Sequence, residues 1–143
     1  MIGIYKKGEI DLYELISSIK DHPNINKAGA IVTFTGIMRG EEADKKVERL
    51  KIDSYKEMAE KVLKKIVDEE KGNGIIDIQI VHLIGEFMPG EDLVYVVVLG
   101  AHRQECFRTI EKVVNRYKTE APLWKKEILE NGKEYWVNNS HKS

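Results

Sequence analysis

Apolar residues recur along this chain with two periods, and the switches between them mark its elements. In residues 10–19 they fall at positions 10, 12, 15, 16 and 19, the spacing of a helix with one buried face. His22-Pro23-Asn24 then breaks the pattern. Residues 28–38 are small and β-branched and predict a buried strand with Gly36 near its end. Residues 40–46 predict a charged loop and 47–53 a second strand. The clearest helix covers 55–71. Tyr55, Met58, Ala59, Val62, Leu63, Ile66 and Val67 share one face, and Lys and Glu fill the other. Gly72-Asn73-Gly74 ends it, residues 75–84 predict a strand, and Pro89-Gly90 predicts a turn. Residues 93–99 carry no charge and predict a central strand covered on both faces. A second long helix follows over 102–117, with Cys106, Phe107, Ile110, Val113, Val114 and Tyr117 turned inward. Strands at 123–129 and 134–137 flank Asn131-Gly132, a two-residue hairpin signal. This order of elements predicts an α+β sandwich with a mainly antiparallel sheet.

Composition narrows the class. The 143 residues, 42% hydrophobic and 33% charged, suffice for one domain with a real core, spanning 1–143. A net charge of −1, from 23 basic and 24 acidic side chains, speaks against a nucleic-acid partner. The longest apolar stretch, 93–101, is too short to span a bilayer, and the first residues lack the apolar run of a secretory signal. The single cysteine, Cys106, allows no internal disulfide, which fits a reducing cytoplasm.

The candidate chemistry is basic. Ala101-His102-Arg103, Lys118 and Pro122-Leu123-Trp124-Lys125-Lys126-Glu127 each stand at the edge of an element that otherwise reads as core. An ammonium held at such a place binds anions, or acts as an acid or base once burial lowers its pKa. His102 and Arg103 open the second long helix, where cations oppose the helix dipole but free N–H groups favour an anion. A solvated Arg103 and a loop-capping His102 are the bland alternative. Arg39 follows a buried strand, a position from which arginine can hold a phosphate, or simply face solvent. Lys118 complements the dipole at the end of its helix whether or not it has a further role. Lys125 and Lys126 fall on opposite faces of a strand, one with Leu123 and one with Trp124; a buried one needs a partner, and Glu127 is the nearest. Arg103 and Lys118 are fifteen residues apart, about 22 Å along one helix. They cannot line one small pocket of the same subunit, so either there are two anion sites or a dimer brings the ends together.

Other constellations carry less. His102 and Cys106 are one helical turn apart, but Cys106 lies on the apolar stripe and reads as core. His22, His82, His102 and His141 show no metal-ligand spacing, and neither a P-loop nor a Rossmann glycine pattern occurs, so no metal or cofactor is expected.

Taken together, the segments resemble the large, catalytic subunit of molybdopterin synthase. The matching residues are Gly29-Ala30-Ile31-Val32-Thr33-Phe34-Thr35-Gly36 with Arg39; Tyr55 with Met58-Ala59; His82, Gly85 and Pro89-Gly90-Glu91; Ala101-His102-Arg103, Phe107 and Lys118; and Ala121-Pro122-Leu123-Trp124-Lys125-Lys126-Glu127 with Trp136-Val137. The resemblance implies a two-layer α/β hammerhead-type sandwich and a homodimer within a heterotetramer. The expected partner is a small ubiquitin-like sulfur carrier whose C-terminal Gly-Gly thiocarboxylate enters the pocket. The expected reaction moves two sulfurs to cyclic pyranopterin monophosphate, forming the molybdopterin dithiolene. By match to the family, Lys118 and Lys125 are the expected catalytic lysines. Arg39, His102 and Arg103 would hold the substrate, Phe34 would form a wall, and Lys126 and Glu127 would support. The family's sites draw on both large subunits. Three departures stand out: Leu83 where many relatives carry arginine, Gly40 where asparagine is frequent and whose glycine would loosen the loop, and a short tail, 138–143, without arginine. A module that docks a Gly-Gly tail without chemistry is the alternative, and retention of both lysines speaks against it.

Overall fold

Two neighbouring, largely buried strands organise this molecule. The computed structural model describes residues 1–137. They form β1 (Ile2–Lys6), α1 (Leu12–Lys20), a 3-10 turn (Ile25–Lys27), β2 (Ala30–Ile37), β3 (Glu41–Glu42), β4 (Lys45–Ser54), α2 (Lys56–Glu70), β5 (Ile75–Phe87), β6 (Asp92–Gly100), α3 (Arg103–Glu120), β7 (Leu123–Leu129) and β8 (Glu134–Val137). The strand order is β2-β6-β5-β4-β7-β8, with β1 beside β5 and β3 beside β4. All pairs are antiparallel except β1 with β5. The expected α+β, mainly antiparallel architecture is therefore present.

β5 joins two halves of the sheet. Up to Ile84 it pairs with β6 and β1; from Gly85 onward it pairs with β4. Gly85 has φ +134°, a conformation that a side chain resists, and it stands where the strand passes from one half to the other. Alternate residues of β5 and β6 face opposite layers. α2 and α3 pack on the face bearing Ile80, Val96 and Val98, while α1 reaches the face of Gln79 and Tyr95. Burial from both sides explains the uninterrupted apolar run of β6, in which Val96, Val97 and Val98 have no exposed surface.

The helices begin and end for local reasons. Asp11 caps α1 by accepting a hydrogen bond from the Glu14 amide. Pro122 follows α3 at once and cannot extend it, so the chain turns straight into β7. α2 and α3 lie side by side, joined by the Arg116 guanidinium, which binds Glu69 (2.7 Å) and Glu70 (3.0 Å) across the helices and Glu120 (2.7 Å) on its own.

Four expectations change on contact with tertiary structure. Residues 40–46 are not merely a loop: Glu41–Glu42 folds back on Lys45–Lys46 as a tight hairpin, with Ala43 at φ 52°. Tyr55, Met58 and Phe107 lie outside the core, Phe107 being 56% exposed. Tyr55 is the N-cap of α2, and Met58 and Phe107 stand in the first turns of α2 and α3. The Asn131-Gly132 hairpin is a three-residue loop, Glu130 to Gly132. Gly132 (φ 86°) takes the left-handed position after a turn closed by its amide on the Leu129 carbonyl. β5 also runs to Phe87, past the expected end. Among the described residues no helix is long and apolar enough to cross a membrane.

Candidate active site

Register across β2, β6 and β5 builds the floor of a cavity. Gly36, Val94 and His82 form one rung; Phe34, Val96 and Ile80 form the next, on the same face. The space exists because Gly36 has no side chain: a Cβ there would lie 2.6 Å from Val94 Cγ1. The cavity holds 420 Å³, within the range of small-molecule sites. Tyr117 and Lys118, from the last turn of α3, form one wall. Arg39 enters from the segment after β2, and Lys125 from β7. An adjoining recess shares Arg39 and Lys125 and adds Glu42, Leu50, Glu127 and Val137.

Strand alternation decides which neighbouring lysine enters. Leu123, Lys125 and Glu127 point inward, and Leu123 and Glu127 are buried. Trp124 and Lys126 point the other way. Lys126 lies over the Trp136 ring (5.3 Å to the centroid) and bonds Glu134 at 3.1 Å, so it does not line the cavity. His102 and Arg103 do not reach it either. They open α3 while Lys118 closes it, and the His102 side chain is 79% exposed with Glu105 at 3.8 Å. Of the eight residues singled out by sequence, five meet here: Phe34, Arg39, Lys118 and Lys125 around the cavity and Glu127 in the recess.

The electrostatics are those of cations around a cavity whose described lining holds no carboxylate. Burial, then the Lys118 charge, pushes the Lys125 ammonium below its ordinary pKa. Lys118 is lowered by burial and by Arg39. The Lys118 ammonium also stands 5.8 Å from the centre of the Phe34 ring, a cation–π contact. No carboxylate offsets these effects, and among the described residues no ion pair engages Arg39, Lys118 or Lys125. Three cationic groups held beside a hollow make a site for an anion.

One cavity residue escaped the sequence-level choice of site residues. His82 is fully buried, with its imidazolium pKa held down to about 3 by burial first and then by Lys125, against the opposing Leu83 carbonyl. A histidine in phase with Ile78 and Ile80 on an apolar strand is the signal that could have marked it. Leu83 is buried, so the position where relatives carry arginine belongs to the core in this chain. Gly40 lies close against its neighbours. Its carbonyl accepts the Val47 amide (2.8 Å), and a Cβ there would meet Pro89 at 2.8 Å. The tail, 138–143, lies outside the described residues. Among those residues no group of three His, Cys, Asp or Glu side chains is placed to hold a metal ion.

The sequence model of the MoaE protein family matches residues 5–120. The chain belongs to the MoaE family. It is 38% identical over 110 residues to the molybdopterin synthase catalytic subunit of Escherichia coli, covering 76% of this chain and 73% of that one. It is 37% identical over 133 residues to a probable molybdopterin synthase of Haloferax volcanii, covering 91% of this chain but only 51% of the relative. This chain thus spans about half the length of that relative. The molybdopterin synthase structure from Staphylococcus aureus superimposes with a TM-score of 0.84 at 32% identity, covering 96% of both chains. The MoaE hammerhead is thus the frame on which the cationic cavity is built.

Gly36 gives this geometry a direct test. Gly36→Val should fill the cavity floor, lower the stability by about 1–3 kcal/mol through overpacking, and raise the KM for substrate at least tenfold. Thermal unfolding beside steady-state kinetics checks both, and an unchanged KM would mean that substrate binds elsewhere.

Proposed function

We propose that residues 1–143 act as one large-subunit domain of a cytoplasmic molybdopterin synthase. In this reading it moves sulfur from the thiocarboxylated Gly-Gly terminus of a small ubiquitin-like carrier to cyclic pyranopterin monophosphate. The observation that carries the reading is the cavity lined by Arg39, Lys118 and Lys125 and, among the described residues, by no carboxylate. Both reactants are anions, a thiocarboxylate and a phosphate ester, and they must meet in one place despite repelling each other. Clustered cations remove that repulsion.

In each transfer a carbon–sulfur bond forms on the substrate as one of its carbon–oxygen bonds breaks, that oxygen leaving as water or staying on the phosphate, and the carrier's acyl–sulfur bond breaks. Water supplies the oxygen that replaces sulfur, and the carrier leaves as a carboxylate. An ammonium from Lys118 or Lys125 stabilises the oxyanion on the acyl carbon, and a lysine with a lowered pKa can pass a proton at neutral pH. Phe34 and Val94 provide an apolar wall that keeps the reacting atoms from bulk water. Co-incubation with the thiocarboxylated carrier and substrate should yield dithiolene. A docking module would bind the carrier and yield none.

His102 and Arg103 enter this reading through a second copy of the chain. At the far end of α3 from Lys118, they complete the site only across a homodimer, itself part of a heterotetramer with two carriers. Mixing inactive Arg103→Ala and Lys118→Ala subunits should then restore activity toward one quarter of wild type, since random pairing places both lesions in one of two sites in half the dimers. Activity no greater than the sum of the two variants alone would place Arg103 outside the site.

A further inference from the structure

His82 is fixed in one protonation state and one tautomer. Its Nδ1 lies 2.9 Å from the Leu83 carbonyl oxygen, which can only accept, so Nδ1 carries the hydrogen. Nε2 is therefore a lone-pair acceptor. It is buried and has no hydrogen-bond partner, on a ring with 1% exposure. Leaving such an acceptor unmade costs stability, and a phenylalanine there would avoid that cost. The ring is held in place by Tyr117, edge to face with centroids 5.8 Å apart.

Lys125 is the complementary case, a largely buried ammonium with no acceptor among the described residues. Both line the same cavity, and the lysine's charge is felt at the imidazole. The other charged groups there cannot serve as acceptors: Lys118 from α3 and Arg39 after β2 only donate. Glu127, on Lys125's own strand, lies in the adjoining recess.

We propose that His82 is the positioning residue for Lys125, its Nε2 accepting a hydrogen bond from the Lys125 ammonium and so aiming that group at the reacting anion. The unpaired acceptor and the unpaired donor are two halves of one contact, which forms when an anion fills the cavity and Lys125 swings to it. This deepens the sulfur-transfer reading and rests on it for the catalytic consequence only.

The test compares wild type, His82→Phe and His82→Gln, each with sulfate present at saturating concentration as the anion. The pKa of Lys125 is followed by NMR of the side-chain ammonium, assigned with Lys125→Met. His82→Phe removes the acceptor and should lower the Lys125 pKa by about one unit; His82→Gln keeps an acceptor and should restore most of it. In turnover with the thiocarboxylated carrier, His82→Phe should lose about tenfold in kcat with KM within threefold, and His82→Gln should recover. An unchanged Lys125 pKa in a folded His82→Phe protein overturns the pairing, whatever the activity. A shifted pKa in a protein that makes no dithiolene even as wild type leaves the pairing intact and sinks the sulfur-transfer reading instead.

Discussion

Lys125→Met is expected to make the protein more stable and abolish its activity. Lys125 is largely buried on the inner face of β7, and among the described residues no ion pair engages its ammonium. Methionine has a similar length and carries no charge to desolvate. The gain without ligand should be about 1 kcal/mol, or roughly 3 °C in Tm for a chain of this size. The pH dependence is a second check. Unfolded, Lys125 keeps its proton up to the ordinary value of 10.5; folded, burial lowers that value. Between the two values the unfolded state binds more protons, so wild-type stability rises with pH through that window. Below it the full penalty applies. The Met variant should lose this contribution, and the stability difference should shrink as pH approaches 10.5. Unfolding curves at several pH values measure it. A Met variant less stable than wild type at pH 7 would mean that Lys125 has a counter-charge that offsets its burial.

Lys118→Ala should cut turnover sharply while leaving the fold intact. Lys118 lies at the end of α3, over the Phe34 ring and beside Arg39, and among the described residues no ion pair ties it to the rest of the structure. Removing one donor from a charge-stabilising site costs about 10²- to 10³-fold in kcat. The structural loss is small, a dipole interaction of about 0.3–1 kcal/mol and a cation–π contact. Lys118→Arg is a sharper probe, because it keeps the charge but cannot give up its proton. Partial activity in the arginine variant would assign Lys118 an electrostatic role, and none would assign it proton transfer.

Much of this was legible in the residues. Period-two and period-3.6 patterns located the long helices and the central strand, because burial on one or both faces is written directly into side-chain polarity. Alternation also required Lys125 and Lys126 to face opposite ways, and Leu123 against Trp124 held the answer to which one turns inward. Leu123 is buried and Trp124 is 48% exposed. Tertiary coverage was less legible. Phe107, Met58 and Tyr55 look like core residues, but nothing in a helix's own sequence says which of its residues the rest of the fold covers. His82 stayed hidden for a related reason: only the register of β5 against β6 and β2 puts it on one rung with Gly36, across Val94, and above a cavity. The resemblance named His102, Arg103 and Lys126, and one chain does not place them with Lys118. Distance along α3 makes that a matter of assembly for the first two, and Lys126 faces the opposite side of β7.

The most direct measurement is a single-turnover reconstitution with the thiocarboxylated carrier and cyclic pyranopterin monophosphate, run with wild type and Lys118→Ala in parallel. Wild type should form dithiolene with two carriers converted to carboxylate per product, and the folded Lys118→Ala protein should be at least a hundredfold slower. Carrier that binds wild type tightly yet keeps its sulfur, or a Lys118→Ala rate equal to wild type, would contradict the assignment of sulfur transfer to this cationic cavity.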